Sequence, residues 1–270
     1  MNCILTVDQS KCVRCGICAE ICPSCIITMG DNGPELVYDG GCMACGHCVA
    51  ICPTGAMNNN QCQIEEQLPI TSKVLDKDTA MDFLRTRRSI RNFTDKKIDE
   101  ETFKELLNAG RYAPTAANTQ GLYYIVISDK ELIKKIADTT ADWMEKEIEI
   151  GSPRKRYFTN VLRTYRDRNI DIIARNAPYL IIALARRLNE TAISNCDQAW
   201  AYINLFAPTI GIGTTVAGFI QTCGQDGYEP LRELLEVPKK QIIVGALMAG
   251  YPKYKYKRLP ERQHLKVEFR

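Results

Sequence analysis

Cysteines at positions 12, 15, 18 and 22 recur at 42, 45, 48 and 52, each displaced by thirty residues. Pro23 returns as Pro53, Gly16 as Gly46 and Ile21 as Ile51, so a short unit is duplicated. Eight of the thirteen cysteines fall in this pattern, whereas only Cys196 and Cys223 lie beyond residue 62. The opening MNCILTVDQSKC has no basic segment followed by an apolar core, so no secretory leader is expected. Clustered cysteines in such a chain read as metal ligands in a reducing, cytoplasmic compartment and not as a disulfide scaffold.

The run C-x2-C-x2-C-x3-C-P lets one tight turn bring three thiolates to one corner of a cluster. Structural zinc is the plainer alternative, but it takes separated C-x2-C pairs and has no use for the third cysteine or the C-P ending. The spacing therefore favours iron–sulfur chemistry. Residues 1–60 closely resemble a bacterial two-cluster [4Fe–4S] ferredoxin. That resemblance implies one cluster on Cys12, Cys15, Cys18 and Cys52, and a second on Cys42, Cys45, Cys48 and Cys22. Cys3, Cys25 and Cys62 stand outside the pattern and are expected as free thiols; His47 is not counted as a ligand.

Charge divides the chain. Residues 1–60 hold two basic and five acidic side chains, whereas the remainder holds 33 basic and 27 acidic ones. The net charge of +3 is too mild to suggest nucleic-acid binding. The apolar run around Ala177–Ala185 is about half of what a membrane span needs. The expected organisation is a cluster domain over 1–60, a polar linker over 61–78 and a larger domain over 79–270.

In the larger domain, Asp78 or Thr79 is expected to cap a helix, and Asp99 another through Phe103, Leu106 and Leu107. Strands are expected at 122–127, 179–185 and 242–249, with helices at 129–149 and 191–210. Helices and strands alternate too irregularly for a doubly wound sheet, so the class is α+β.

RTRRSIR, residues 85–91, is by composition alone most simply a solvated basic face. In an extended segment, however, Arg87, Ser89 and Arg91 would point to one side and suit a phosphate group. GIGTTVAG at 211–218 lacks the spacing of a dinucleotide fingerprint. RRSIRNF, APTAANTQ, GIGTTVAGF and KRLPER, in this order over residues 79–270, resemble the nitroreductase family of FMN enzymes.

The resemblance implies a mixed sheet flanked by helices and FMN bound between the subunits of a homodimer. It implies that Arg87, Arg88, Ser89 and Arg91 meet the FMN phosphate or pyrimidine edge. Pro114, Thr115, Ala116 and Asn118 would line the cofactor from the other subunit, Ala217 and Gly218 would face the reactive edge of the flavin, and Arg258 would reach the phosphate. Two positions depart from the family pattern: Tyr256 stands where a lysine is common, and Gly121-Leu122 replaces a Pro-Trp pair.

Together the modules point to an FMN-dependent oxidoreductase passing electrons between two [4Fe–4S] clusters and FMN to a small organic acceptor such as a nitroaromatic or quinone. NAD(P)H or an external ferredoxin would be the donor. No side-chain acid or base is assigned, and no nucleic-acid or membrane partner is expected. The alternative is a non-enzymatic electron carrier or redox sensor acting on a protein partner.

Overall fold

A computed structural model describes residues 5–38, 40–71 and 74–270; Cys3 and linker residues 72–73 lie outside the described residues. The chain forms two compact units. The first comprises the described residues up to Val74 together with Ala116–Thr119, and the second comprises Leu75–Thr115 and Gln120–Arg270.

In the first unit, β1 (Leu5–Val7) pairs antiparallel with β4 (Met57–Asn59), and β2 (Ile27–Gly30) forms a hairpin with β3 (Gly33–Leu36). Two one-turn helices, α1 (Ile17–Glu20) and α2 (His47–Ala50), follow the two cysteine loops. The duplication extends to the backbone. Gly16 and Gly46 open these helices at φ 79 and 72, and Arg14 and Ala44 sit at φ 53 and 50. Such left-handed residues turn the chain tightly enough for neighbouring thiols to converge. The buried core is small: Ile26, Ile27, Val49 and Met57 with Cys48, against which Cys18, Cys22, Cys42 and Cys52 pack.

The second unit is built on a four-stranded antiparallel sheet. Its strands are β5 (Leu122–Ile127), β6 (Tyr179–Arg186), β7 (Gly213–Val216) and β8 (Gln241–Gly250), in the order β5-β6-β8-β7. The strands expected at 122–127, 179–185 and 242–249 are thus present. Central strand β6 divides its side chains between two cores. Leu180, Ile182 and Leu184 face one, and Ile181, Ala183 and Ala185 face the other. Helices α5 (Lys130–Glu149), α6 (Lys155–Leu162), α8 (Gly218–Gln225) and α9 (Glu229–Leu234) contribute to the first. Helices α4 (Glu100–Ala109) and α7 (Ala192–Phe206) contribute to the second.

Asp99 caps α4 through the Thr102 N–H, and Asp129 caps α5, as their sequences indicate. The first helix of the unit, α3 (Lys77–Thr86), starts earlier than expected. Asp76 is its cap, accepting from the N–H groups of Asp78 and Thr79 at 3.1 and 3.0 Å. Helix α7 ends at Phe206 and a 3-10 turn, Ala207–Ile210, completes the expected span, because Pro208 cannot continue the α-helical ladder.

A bulge breaks the β6–β8 register between Ala183 and Leu184, leaving Val244 between the pairs Ala183–Gly245 and Leu184–Ile243. Two glutamines one turn apart on α8 satisfy the exposed groups. Gln225 Nε2 donates to the Val244 carbonyl at 2.7 Å, and Gln221 Oε1 accepts from the Ala246 N–H at 3.2 Å. The Ala217 N–H donates to the Ala246 carbonyl at 2.9 Å. These bonds pin α8 along its length to β8.

At the bulge, a Cβ on Gly245 would stand against Cys196 Sγ and the Trp200 ring inside van der Waals contact. Gly245→Ala is therefore expected to destabilise this unit by about 1–3 kcal/mol, the usual cost of overpacking a dense core. A lower denaturation midpoint followed by tryptophan fluorescence checks it.

Candidate functional site

The first unit holds two cavities, and the cysteines divide between them. One is lined by Cys12, Cys15, Cys18 and Cys52 with Val7, Ile17, Met29 and Met57 among its walls. The other is lined by Cys22, Cys42, Cys45 and Cys48 with Leu5, Ile26, Ile27 and Asn59. Each cavity thus draws three cysteines from one repeat and the fourth from the other, the sets the ferredoxin resemblance implies. Among the described residues, no three His, Cys, Asp or Glu side chains close on one point as a single ion needs. Thiols standing around a mostly apolar cavity fit a cluster with a body of its own.

Thiol electrostatics follow the same division. Burial raises Cys18, with further pushes from Cys15 and Cys52. Burial pushes Cys48 up to about 12, with contributions from Cys62, Cys45 and Cys42. Burial also works to raise Cys52, but backbone N–H donors, Ala56 N at 3.3 Å among them, outweigh it and the net shift is downward. Crowded thiols of this kind ionise together only when a cationic metal centre takes up their charge. Cys62 is a ninth thiol close to the second set, with its Cβ 3.5 Å from where a Cβ on Gly46 would stand. Cys25 is exposed.

Asn118 belongs to the first unit. Its Nδ2 donates to the carbonyls of Met43 and Ala44, each at 3.0 Å, bracing the loop that carries Cys42 and Cys45. Ala117, Asn118 and Gln120 all have φ near +50, a conformation that costs non-glycine residues energy.

In the second unit, residues 87–92 lie outside any helix or strand. The Ile90 N–H donates to the Thr214 carbonyl of β7 at 3.0 Å, and the Ile90 side chain covers Gly213, where a Cβ would collide with it. The segment bearing Arg87, Arg88, Ser89 and Arg91 is thereby anchored to β7. Arg88 Nη1 donates to the Arg87 carbonyl at 2.7 Å, while Arg88 Nε is buried with no partner among the described residues. Burial, then the charges of Arg262, Arg88 and Arg91, pull Arg87 below the usual arginine value. Burial and Arg91 do the same to Arg175. Among the described residues none of Arg87, Arg88, Arg91 and Arg175 has a carboxylate in salt-bridge contact. Gathered cations and an orphaned buried donor make a site that fits a phosphate-bearing ligand.

Ala217 is buried at the start of α8, and Gly218, next to it, is exposed with nothing within 4 Å of where a Cβ would stand. This leaves open backbone for the face of a flat ring. Pro114 is exposed and Thr115 is half-buried, with its Oγ1 accepting from the Gln120 N–H at 3.1 Å. Arg258 is exposed in the C-terminal tail.

Residues 84–251 match the nitroreductase family, and residues 11–57 match a 4Fe-4S dicluster domain. The chain belongs to the nitroreductase family. A relative from Archaeoglobus fulgidus, whose name proposes NADH dehydrogenase or NAD(P)H nitroreductase activity, is 27% identical over 173 residues, which is 62% of this chain and 82% of the relative. An FMN reductase [NAD(P)H] of Bacillus subtilis is 28% identical over 172 residues, covering 63% of this chain and 64% of that protein. The fold is shared with a nitroreductase of Bacteroides fragilis solved with bound FMN, at a TM-score of 0.55 and 20% identity, over 70% of this chain and 98% of that one. Two [4Fe–4S] clusters and FMN, the cofactors expected from sequence, are those that a nitroreductase with a dicluster domain carries.

Two arginines were missed by sequence reasoning. Arg262, four residues beyond the expected Arg258, is the charged group that weighs most on Arg87, and its neighbour Glu261 lies 3.7 Å from Arg85. Arg175 sits in a turn shaped by Asp171, which accepts from the N–H groups of Ile173, Ala174 and Asn176. Arg262 closes the KRLPER run, in which only Arg258 was singled out, whereas Arg175 lies in no recognisable motif.

Two outcomes are expected. Cys22→Ala combined with Cys42→Ala should keep roughly half the iron and sulfide, because both cysteines line one cavity, whereas Cys22→Ala with Cys12→Ala should lose both clusters. Metal and labile-sulfide analysis of anaerobically purified protein checks it. Arg88→Met should weaken FMN binding by about 1.5–3 kcal/mol, the usual worth of a hydrogen bond to a charged group. Titration of the apoprotein by flavin fluorescence quenching measures it.

Proposed function

We propose that the chain is an FMN-dependent oxidoreductase in which single electrons pass through two [4Fe–4S] clusters and a small organic acceptor of nitroaromatic or quinone type is reduced at the flavin. One observation carries this reading. Two four-cysteine cavities occur in the same chain as arginines that lack carboxylate partners among the described residues. When bound, FMN supplies the conversion between one-electron and two-electron chemistry.

The part of the protein is to hold and orient. Arg87, Arg88, Ser89 and Arg91 take the phosphate and pyrimidine edge, where positive charge favours the added negative charge of reduction. Arg262 and Arg258 of the tail and Arg175 complete the anion site, and the backbone at Ala217 and Gly218 faces the ring. Pro114, Thr115 and Ala116 approach from a second copy. No side chain is assigned as an acid or base, since both histidines, His47 and His264, lie outside this arrangement.

A homodimer accounts for apolar surface that a single copy leaves uncovered. Helix α3 buries none of its residues, Met81 and Leu84 are about half exposed, and Leu265, Val267 and Phe269 of the tail are exposed. The electron donor is an external ferredoxin or NAD(P)H, and the open thiols suit a reducing, cytoplasmic compartment. No helix among the described residues is long and apolar enough to cross a membrane.

The test uses a variant lacking both clusters, Cys15→Ala with Cys45→Ala, reloaded with FMN. Quinone reduction driven by reduced ferredoxin is expected to fall to background, while any direct reduction of the flavin by NADH persists. A flavin that no small acceptor reoxidises, but that a partner protein does, would replace the enzyme reading with that of an electron carrier.

A further inference from the structure

Asn59 ends β4, is 2% exposed and forms part of the wall of the cavity lined by Cys22, Cys42, Cys45 and Cys48. Its side-chain orientation is settled by its neighbours. Asn59 Oδ1 accepts from the Gln61 N–H at 2.9 Å, so the amide nitrogen is the end turned to the cysteine, and Nδ2 donates to Cys42 Sγ at 3.6 Å. Its backbone is held as well, paired with Leu5 across the β1–β4 ladder and donating to Asn58 Oδ1 at 2.8 Å. The donor is therefore fixed in place before any cluster is bound.

The duplication supplies an internal comparison. Displaced by thirty residues, Asn59 corresponds to Met29, which forms part of the wall of the other cavity and has no N–H in its side chain to offer. At this wall position the two sites differ, amide against thioether; they differ also at His47 against Ile17 and Ser24 against Thr54.

We propose that Asn59 is a positioning residue that hydrogen-bonds the Cys42 thiolate and raises the reduction potential of the cluster in its cavity. The inference rests on the two-cluster reading. An electron added to a cluster increases the negative charge on its thiolates, so a fixed N–H donor stabilises the reduced form more than the oxidised one. Met29 offers no such donor, and in its cavity the thiol that receives an N–H is Cys52, from the Ala56 backbone at 3.3 Å.

The experiment is a redox titration of the full-length protein followed by electron paramagnetic resonance, with the clusters assigned by the Cys22→Ala variant. Asn59→Met, which installs the counterpart side chain, is expected to lower the potential of the Cys42 cluster by roughly a tenfold change in its reduced-to-oxidised ratio, about 59 mV for one electron. Asn59→Asp keeps an acceptor for the Gln61 N–H but replaces the donor with negative charge, and should lower that potential further. The other cluster should not move, and iron content should stay at the wild-type value. Unchanged potentials, or equal shifts in both clusters, would overturn the proposal. So would loss of the Cys42 cluster from both variants, which would make Asn59 a structural residue only. Wild-type protein without iron and labile sulfide would instead sink the two-cluster reading itself.

Discussion

Thiolate coordination is the interaction on which the first unit depends. Its apolar core amounts to a few side chains, Ile26, Ile27, Val49 and Met57 chief among them, far fewer than a chain segment of this length needs for independent stability. The cysteines that would bind metal pack against those same side chains. Each cavity takes its fourth cysteine from the other repeat, so neither loop can complete its site alone. Cluster binding therefore cross-links the two halves of the duplication, and binding free energy becomes folding free energy.

The second unit solves a different problem. It has ample core on both faces of its sheet, and can therefore hold groups that cost stability. Arginines held near one another with no carboxylate in salt-bridge contact among the described residues, one with a buried nitrogen unpartnered among them, form an arrangement that a well-packed scaffold supports and that an anion relieves. The bulge at Val244 has a comparable role. It frees backbone groups that Gln221 and Gln225 take up, and so fixes α8, at whose start Ala217 and Gly218 present their backbone.

Much of this was legible in the residues. Strands β6 and β8 are continuous apolar runs because both their faces are buried, and α5 is long and periodic enough to be read directly. Short elements escaped: α6, α8, α9 and β7 span four to eight residues, too few for periodicity to speak. The start of α3 was misplaced because Asp76 and Asp78 are both acceptable caps, and only the geometry of the N–H groups chooses between them. Arg175 and Arg262 escaped for a different reason. Their charges act on Arg91 and Arg87 from 84 and 175 residues away along the chain, a proximity that KRLPER, which contains Arg262, does not itself encode.

By itself, the sequence determined which atoms are available and at what spacing. Eight cysteines in a duplicated C-x2-C-x2-C-x3-C-P run favour cluster-type over zinc ligation by their spacing alone. What only the tertiary structure decided is which groups stand beside those thiols. Met29 and Asn59 are equivalent in the repeat, yet the amide becomes a donor to Cys42 only because the Gln61 N–H claims its oxygen. Asn118 likewise braces the Met43 and Ala44 carbonyls from a point more than seventy residues along the chain. Hydrogen bonds are directional and short, so they are set by the folded positions of both partners and not by either segment alone.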